Sequence, residues 1–398
     1  MYRISSLFIF ILLAFAAAGQ TANPQQYKYV FTVAKDGTGE YHTIQDAIDA
    51  MRVYPLGPIT LYIKNGVYNE KIELPANNTD VTFIGENVDS TIISWNDYSG
   101  KGRHTTFTSY TAKISGNRFR AENISFINTA GPVGQALALY VDADNAYFRN
   151  CKFLGNQDTI FAAGEDARQL FEDCYIEGTT DFIFGPATAY FLSCRIRCKS
   201  NSYITAASTA QAKRYGFVFM KCTITADTSV NKLFLGRPWR QYAKTAFLEC
   251  ELPAAIHPAG WDNWNNPDNE LWVRYAEYQN KGAGAAVEGR VKWAKQLTKK
   301  EAALYTVERV MSGPYLDGMN AKGWFSSIGP IYFNQSLFAA NNIPVIPLYS
   351  GPVPNNLSVP DRENAVTRDN VTRISKISLP TLTVYKEQKP NAQAVLIY

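Results

Sequence analysis

The sequence predicts an all-β fold, a right-handed parallel β-helix, and three observations carry that prediction. First, five of the six cysteines sit in one pattern, Phe-x-x-Cys-x-apolar, at Cys151, Cys174, Cys194, Cys222 and Cys250, spaced 23, 20, 28 and 28 residues apart. Second, apolar and polar residues alternate with period two in short β-branched and aromatic runs, and no long stretch of helical period lies between Thr105 and Leu252. Third, Gly, Asn and Asp punctuate these runs as turns. A repeating unit of that length and chemistry is one rung of a solenoid, whose equivalent residues stack roughly 4.8 Å apart.

Taken in chain order, the N-terminus carries Arg3, an apolar run from Ile4 to Ala18 and then a polar stretch. One positive charge, a short apolar core and the small residues Ala16-Ala17-Ala18 describe a secretory signal peptide over residues 1–18. The run is shorter than the roughly 20 residues that span a bilayer, so no membrane association is expected after cleavage. Thr43 to Met51 places apolar residues at helical spacing and is expected to cap the open N-terminal end, where unpaired strand edges would otherwise be exposed. Residues 27–330 form the β-helix domain. Residues 331–398 are a C-terminal extension packed on the outside or trailing from it; from Pro344 the chain is rich in Pro, Asn, Ser and Thr.

The repeat covers the cysteine pattern step by step. Phe148-Arg-Asn-Cys151-Lys-Phe153 is followed by Phe171-Glu-Asp-Cys174-Tyr-Ile176 and Phe191-Leu-Ser-Cys194-Arg-Ile196, then by the copies at Cys222 and Cys250. Ala121-Glu-Asn-Ile124-Ser-Phe126 is an earlier copy with Ile in the Cys position. The cysteines thus form an inward ladder of small buried hydrophobes. Adjacent rungs also bring Cα atoms within disulfide range, which permits one or two bridges, such as Cys174 with Cys194. Cys198 lies off the ladder. Secretion would make Asn77, Asn123, Asn334, Asn356 and Asn370 glycosylation sequons, with Asn123 the one expected to be buried.

Composition narrows the function. The 398 residues carry 39 basic and 35 acidic side chains, a net charge of +4 that argues against a nucleic-acid partner. Charged residues are only 19% and aromatics 13%, a balance suited to a neutral or sugar-like ligand. His42, His104 and His257 are scattered without metal-ligand spacing, and neither HExxH nor GxSxG occurs. No metal and no cofactor is expected.

The rung spacing itself points to chemistry. Asp158 follows Cys151 by seven residues and Asp181 follows Cys174 by seven, which places both aspartates in one column on adjacent rungs. Two such carboxylates repel, so one should hold its proton and supply a general acid beside an ionised partner. Repeated turn aspartates with a purely structural role have the same spacing. Gln157 adjoins Asp158, and Gln135 lies 22 residues earlier, about one rung. Two neutral amide donors side by side suit an oxyanion hole.

At these residues the chain resembles the pectin methylesterases (pectinesterases), β-helical carbohydrate esterases. The resemblance runs from about Val33 to Gly329 and is carried by Gly66-Val-Tyr68-Asn-Glu70, the Gln135, Gln157-Asp158 and Asp181 segments, and Leu235-Gly-Arg237-Pro-Trp239. It implies Asp181 as nucleophile, Asp158 as general acid and base, Gln135 and Gln157 as oxyanion donors, and Arg237 as the residue that orients and ionises Asp181. It implies Trp239, Phe184, Phe161 and Thr180 as substrate contacts; Thr180 stands where Val is common and Ile160 where Leu is usual. Trp261 and Trp264 are read as lining the cleft or securing the C-terminal segment, and the Tyr275 to Gly282 motif as structural.

The resemblance further implies methyl-esterified homogalacturonan (pectin) as substrate, methanol and pectate as products, and a proteinaceous pectinesterase inhibitor as a second partner. A secreted monomer is expected. The Val33-Ala-Lys-Asp-Gly-Thr-Gly39 opening follows the signal closely, so no inhibitor-like pro-region is expected. Three rival readings stand beside this one: a pectin lyase or polygalacturonase, a non-catalytic β-helix that binds polysaccharide, and a relative acting on a non-pectic ester or thioester.

Overall fold

The computed structural model describes residues 27–312 and 331–338 in full, together with the backbone of four short strands further on. The signal segment 1–18 and most of the extension 331–398 lie outside the described residues. The body is a right-handed parallel β-helix of three sheets, one of eleven strands and two of seven. Seven rungs each contribute one strand to each sheet, and the two ends add four further strands to the first sheet. A central rung runs through Arg168–Glu172, Tyr175–Gly178 and Ile183–Gly185, and the next through Thr188–Leu192, Arg195–Cys198 and Tyr203–Ala207.

Register follows the motif. Phe148 pairs with Phe171, Phe171 with Phe191, Phe191 with Phe219, and Phe219 with Phe247. Their rings form one stack with successive centroids 4.9, 4.8, 4.5 and 4.3 Å apart and planes within 10° of parallel. In-register pairing dictates this. Identical side chains at one column can only lie face to face, and the offset stack supplies apolar burial with favourable ring contact.

The residue before each ladder cysteine carries the turn. Asn150, Asp173, Ser193, Lys221 and Glu249 all adopt positive φ between 47° and 56°, as does Asn123 (58°) before Ile124. One left-handed residue reverses the chain from the first sheet into the second and aims the next side chain into the core. The column tolerates Lys and Glu as well as Asn, which shows that the turn is imposed by the rungs rather than by local preference.

The cysteine ladder is buried as expected, but the Cys174–Cys194 bridge is not formed. All six cysteines are free thiols. Each ladder thiol faces main-chain carbonyls instead; the Cys194 Sγ, for example, lies 3.4 Å from the Phe171 oxygen. Cys198 now has an explanation. It pairs with Gly178 on one side and Ala226 on the other, so its side chain is the large inward group in a column of small ones.

Both ends of the solenoid are closed. The expected cap is a helix over Ile44–Asp49, with the Thr43 hydroxyl accepting from the Asp46 N–H and Ile44, Ala47 and Ile48 buried. Glu70 of the Gly-x-Tyr-x-Glu motif accepts from the N–H groups of Ile44 (3.0 Å) and Gln45 (2.9 Å), which ties that helix to the first rungs. At the other end Trp261 stacks on Tyr275 at 4.3 Å and donates to Glu277, which is paired in turn with buried Arg290 at 2.8 Å. The Tyr275 to Gly282 motif is structural here, and Trp261 belongs to the core.

On the outside, short helices at Lys299–Ala302 and Val307–Met311 cover Tyr147, Leu170, Tyr190 and Val218 of the eleven-stranded sheet. Of the extension, residues 331–338 lie against the first rungs, where the Phe333 ring meets Tyr62 edge-on at 5.8 Å. Beyond them Val345–Pro347 pairs with Thr381–Thr383 and Asn364–Arg368 with Val371–Ser375, both antiparallel. Among the sequons, Asn123 is only partly exposed, with its Oδ1 accepting from Asn150, while Asn334 is exposed. Asn356 and Asn370 lie outside the described residues.

Two outcomes test this account. Phe191→Ala removes the middle ring of the stack and should cost about 3–5 kcal/mol of unfolding free energy in a denaturant titration. Adding a reductant should leave the unfolding midpoint unchanged, because the ladder holds thiols; a fall in the midpoint would reveal a bridge.

Candidate active site

The strands of the third sheet position the site. Ile160 pairs with Ile183, so Asp158 and Asp181, each two residues upstream, occupy neighbouring rungs of one column. The Asp158 N–H donates to the Thr180 carbonyl (3.1 Å) and the Asp181 N–H to that of Tyr203 (2.8 Å), which extends the ladder past the strand ends. Both aspartates have left-handed backbones, φ 65° and 49°. Asp tolerates this conformation better than most residues, and it turns each carboxyl out of the sheet. Gln135 bridges Gln157 across the previous rung, so the two amides lie side by side as their spacing implied.

One outward column completes the floor. Phe161 pairs with Phe184, Phe184 with Ala206, and Ala206 with Arg237. Ala206 is the gap in that series. With only a methyl between Phe184 and Arg237, the column leaves a cavity of about 230 Å³ lined by Thr106, Phe107, Gln135, Gln157, Asp158, Asp181, Phe184, Ala206, Arg237, Trp239 and Trp264.

Arg237 reaches back across the gap. Its Nε donates to Asp181 Oδ1 at 3.0 Å and its Nη2 to Oδ2 at 2.7 Å, a bidentate pair that fixes the carboxylate plane. The guanidinium is itself held between two rings, 4.0 Å from the Tyr203 centroid and 3.8 Å from that of Trp264. Arg237 therefore stacks on Tyr203 and Trp264. Trp239 meets Phe184 edge-on at 5.7 Å and forms the opposite wall.

The two carboxyls differ electrically. Burial, reinforced by the charge of Asp181 and opposed by Arg237, pushes the Asp158 pKa from its ordinary 3.8 up to about 8. Among the described residues no protein donor bonds the Asp158 side chain. Burial also raises Asp181, but there the hydrogen bonds and charge of Arg237 work against the rise. Of the pair, Asp158 is the group that keeps its proton near neutral pH and Asp181 the group shaped to be an anion. Among the described residues, the side chains of Gln135 and Gln157 make no protein hydrogen bonds, which leaves their N–H groups available to a ligand.

The placement of the remaining residues is mixed. Phe184 and Trp239 line the cavity. Phe161 lies behind them, stacked on Phe184 at 4.7 Å and outside the lining. Thr180 is also outside it; its hydroxyl accepts from Ser202 at 2.8 Å, and its carbonyl holds the Asp158 backbone. Sequence reasoning missed Thr106, Phe107, Tyr203 and Ala206. Tyr203 had a readable signal, since it follows Asp181 by 22 residues, one rung further along the same column. Thr106 and Phe107 arrive on a loop outside the repeat and had none.

The chain is similar in sequence and fold to known proteins. A probable pectinesterase/pectinesterase inhibitor of Arabidopsis thaliana is 39% identical over 74% of this chain and 54% of its own length. Pectinesterase 31 of the same plant is 36% identical over 68% of this chain and 88% of its own. The chain spans about half the length of the first curated relatives it matches. Among solved structures, the pectin methylesterase from carrot superposes with a TM-score of 0.69 at 32% identity, covering 76% of this chain and 98% of the carrot protein. A pectin methylesterase variant solved with a hexasaccharide superposes at 0.64 with 29% identity, covering 72% and 98%. The pectinesterase family model matches residues 30–314. The chain belongs to the pectinesterase family.

Proposed function

We propose that this protein is a secreted pectin methylesterase, hydrolysing methyl esters of galacturonate in homogalacturonan to pectate and methanol. The observation that carries the reading is the asymmetric carboxyl pair: Asp181 clamped by Arg237, beside a buried Asp158 whose pKa is raised to about 8. Family membership and the hexasaccharide bound by a related pectin methylesterase support the substrate class. The apolar segment from Ile4 to Ala18 supports export. Among the described residues no helix is long and apolar enough to cross a membrane. The relatives named as pectinesterase/pectinesterase inhibitor support an inhibitor protein as a second partner.

The placement supports a two-step chemistry. The Asp181 carboxylate attacks the ester carbonyl carbon, and the negative charge that develops on oxygen is met by the amide N–H groups of Gln135 and Gln157. Collapse of the tetrahedral intermediate breaks the C–O bond to methoxide, which takes the Asp158 proton and leaves as methanol. Asp158, now ionised, accepts a proton from water as that water attacks the Asp181 anhydride. This releases the galacturonate acid and restores both groups. Arg237 sets the angle of attack and limits the rise in the Asp181 pKa that burial causes.

Three outcomes test the reading. Asp181→Ala should reduce methanol release from esterified pectin about a thousandfold or more while leaving the thermal midpoint near that of the parent. Retained release would remove Asp181 as nucleophile. Ala206→Phe should fill the gap beside Arg237 and lower kcat/KM for pectin by about tenfold or more, read from initial rates.

The third outcome concerns pH. Asp158 must be protonated for the first step, so activity should fall as pH rises through about 8. The folded state keeps this proton at pH values where the unfolded chain has lost it. Stability contributed by protonated Asp158 is therefore present below about 4 and lost as pH climbs toward 8. Asp158→Asn should flatten the decline of the melting temperature between pH 5 and 8; an unchanged slope would refute the assignment.

A further inference from the structure

The two glutamines proposed as oxyanion donors are not held alike. Gln157 stands in a short connection, residues 155–159, between Lys152–Leu154 and Ile160–Ala162. Gln135 stands in one twice as long, residues 129–138, between Ser125–Asn128 and Leu139–Val141. That longer connection carries Gly131 (φ 83°) and Gly134 (φ 119°), each with open space where a Cβ would lie. Glycines so placed give the backbone freedom and no packing. Among the described residues the Gln135 side-chain amide has no protein partner, so its direction follows its main chain. Oxyanion donors act through preorganisation, and a misplacement of about 1 Å can cost about a hundredfold in rate. Some other group has to fix this connection.

Asn128 is placed to do so. It is the last residue of its strand and is 4% exposed. Its Oδ1 accepts from the Ala130 N–H (2.9 Å), and its Nδ2 donates to the carbonyls of Leu137 (3.0 Å), Asp97 (2.9 Å) and Ser109 (3.0 Å). Ala130 and Leu137 lie on either side of Gln135, so one side chain grips the connection near both ends. The other two carbonyls belong to residues 96–111, the loop that brings Thr106 and Phe107 to the cleft. This loop is stiffened independently of Asn128. The buried Asp97 carboxylate meets Lys71 (2.9 Å), Lys101 (3.1 Å) and the His104 Nε2 (3.2 Å), and Lys71 also donates to the Thr108 carbonyl (2.6 Å). From the same loop the Ser99 N–H donates to the Gln135 carbonyl at 2.9 Å. The buried Ser109 hydroxyl accepts from the Leu137 N–H (3.3 Å) and donates to the Thr106 carbonyl (2.7 Å). A neutral amide suits the Asn128 position, because it donates and accepts at once without burying a charge.

We propose that Asn128 is the positioning residue for Gln135 in ester hydrolysis. Its amide, seconded by the Ser109 hydroxyl, locks residues 129–138 onto the ion-paired loop and so aims the Gln135 N–H groups at the oxyanion. The inference rests on the pectin methylesterase reading, with Gln135 as an oxyanion donor. Asn128 lies outside the cavity lining and acts only through its neighbour. Its contribution therefore belongs to the transition state, where charge appears on the carbonyl oxygen, and not to the binding of the neutral ester. Phe184 and Trp239, which wall the cavity, stand on other rungs, and the loop keeps its own ion pairs without Asn128.

The test is a double-mutant cycle read as methanol release from esterified pectin. Asn128→Ala should lower kcat about tenfold or more while KM stays within about twofold of the parent's. In a Gln135→Ala background the same substitution should change kcat by less than about twofold, because no donor is left to misplace. Equal losses in both backgrounds would overturn the positioning role and leave Asn128 a purely structural residue. If the Asn128→Ala chain does not fold, Ser109→Ala decides, since it removes a single oxygen from the same brace. It should lower kcat about threefold, and only where Gln135 is present. A kcat equal to the parent's, or the same loss without Gln135, would overturn the proposal. Two other results would strike the underlying reading instead. Absence of methanol release by the parent chain would remove the esterase function, and an unchanged kcat in Gln135→Ala would remove that glutamine as an oxyanion donor.

Discussion

Everything in this protein depends on the in-register parallel pairing of successive rungs. Because each residue of one rung faces its counterpart in the next, a single inward Phe becomes a stack of five rings, from Phe148 to Phe247. The same constraint acts at the surface. It sets Asp158 over Asp181 and Gln135 beside Gln157 without any dedicated loop to arrange them. The rigidity of the stacked core becomes the rigidity of the site, and preorganised donors are what oxyanion stabilisation needs. A slip of one rung would separate the aspartates and undo the chemistry and the packing together.

A regular stack alone would not make an active site, since columns of like residues close up against one another. Function enters where the regularity is broken. Ala206 interrupts a column of aromatics, and the space it leaves is where Arg237 can bend back to Asp181 and where a ligand can enter. Tyr203 and Trp264 then hold the guanidinium from both faces. Burial of the aspartates is costly for any charge they carry, and that cost is borne unequally. Arg237 relieves Asp181, while Asp158, without a protein donor, meets it by keeping a proton. The electrical difference between the two carboxyls is thus produced by one cation placed on one side of a pair.

Two kinds of surface lie on different sheets of the same solenoid. The cleft is walled by aromatic and amide groups and spends its one cation internally. Beyond the turn at residues 208–216 a second cavity is lined by Lys213, Arg214, Lys244 and Arg274, with no carboxylate in the lining. The thiols of the ladder take no part in either. They are buried packing groups, and a protein stapled by its own stacked rungs holds its shape without disulfides between them.

By itself the sequence determined the solenoid, because a period of 20 to 28 residues with Phe and Cys at constant offset admits few other arrangements. It also determined the aspartate column and the glutamine pair, whose spacings equal the rung period, and the N-terminal cap with its Thr43 start. The pairing of Arg237 with Asp181, 56 residues apart, was legible only through resemblance to a family. Tertiary structure alone decided the rest. Rungs of unequal length shift the lateral neighbours of a column by amounts that no local pattern records, so Tyr203 and Trp264 flank the Arg237 guanidinium only in the folded chain. The loop bearing Thr106 and Phe107 lies outside the repeat, and the basic cavity draws on segments from Gln211 to Tyr305. Whether facing cysteines bridge was likewise left to the direction of their side chains. Periodicity specifies what lies above and below a residue; only packing specifies what lies beside it.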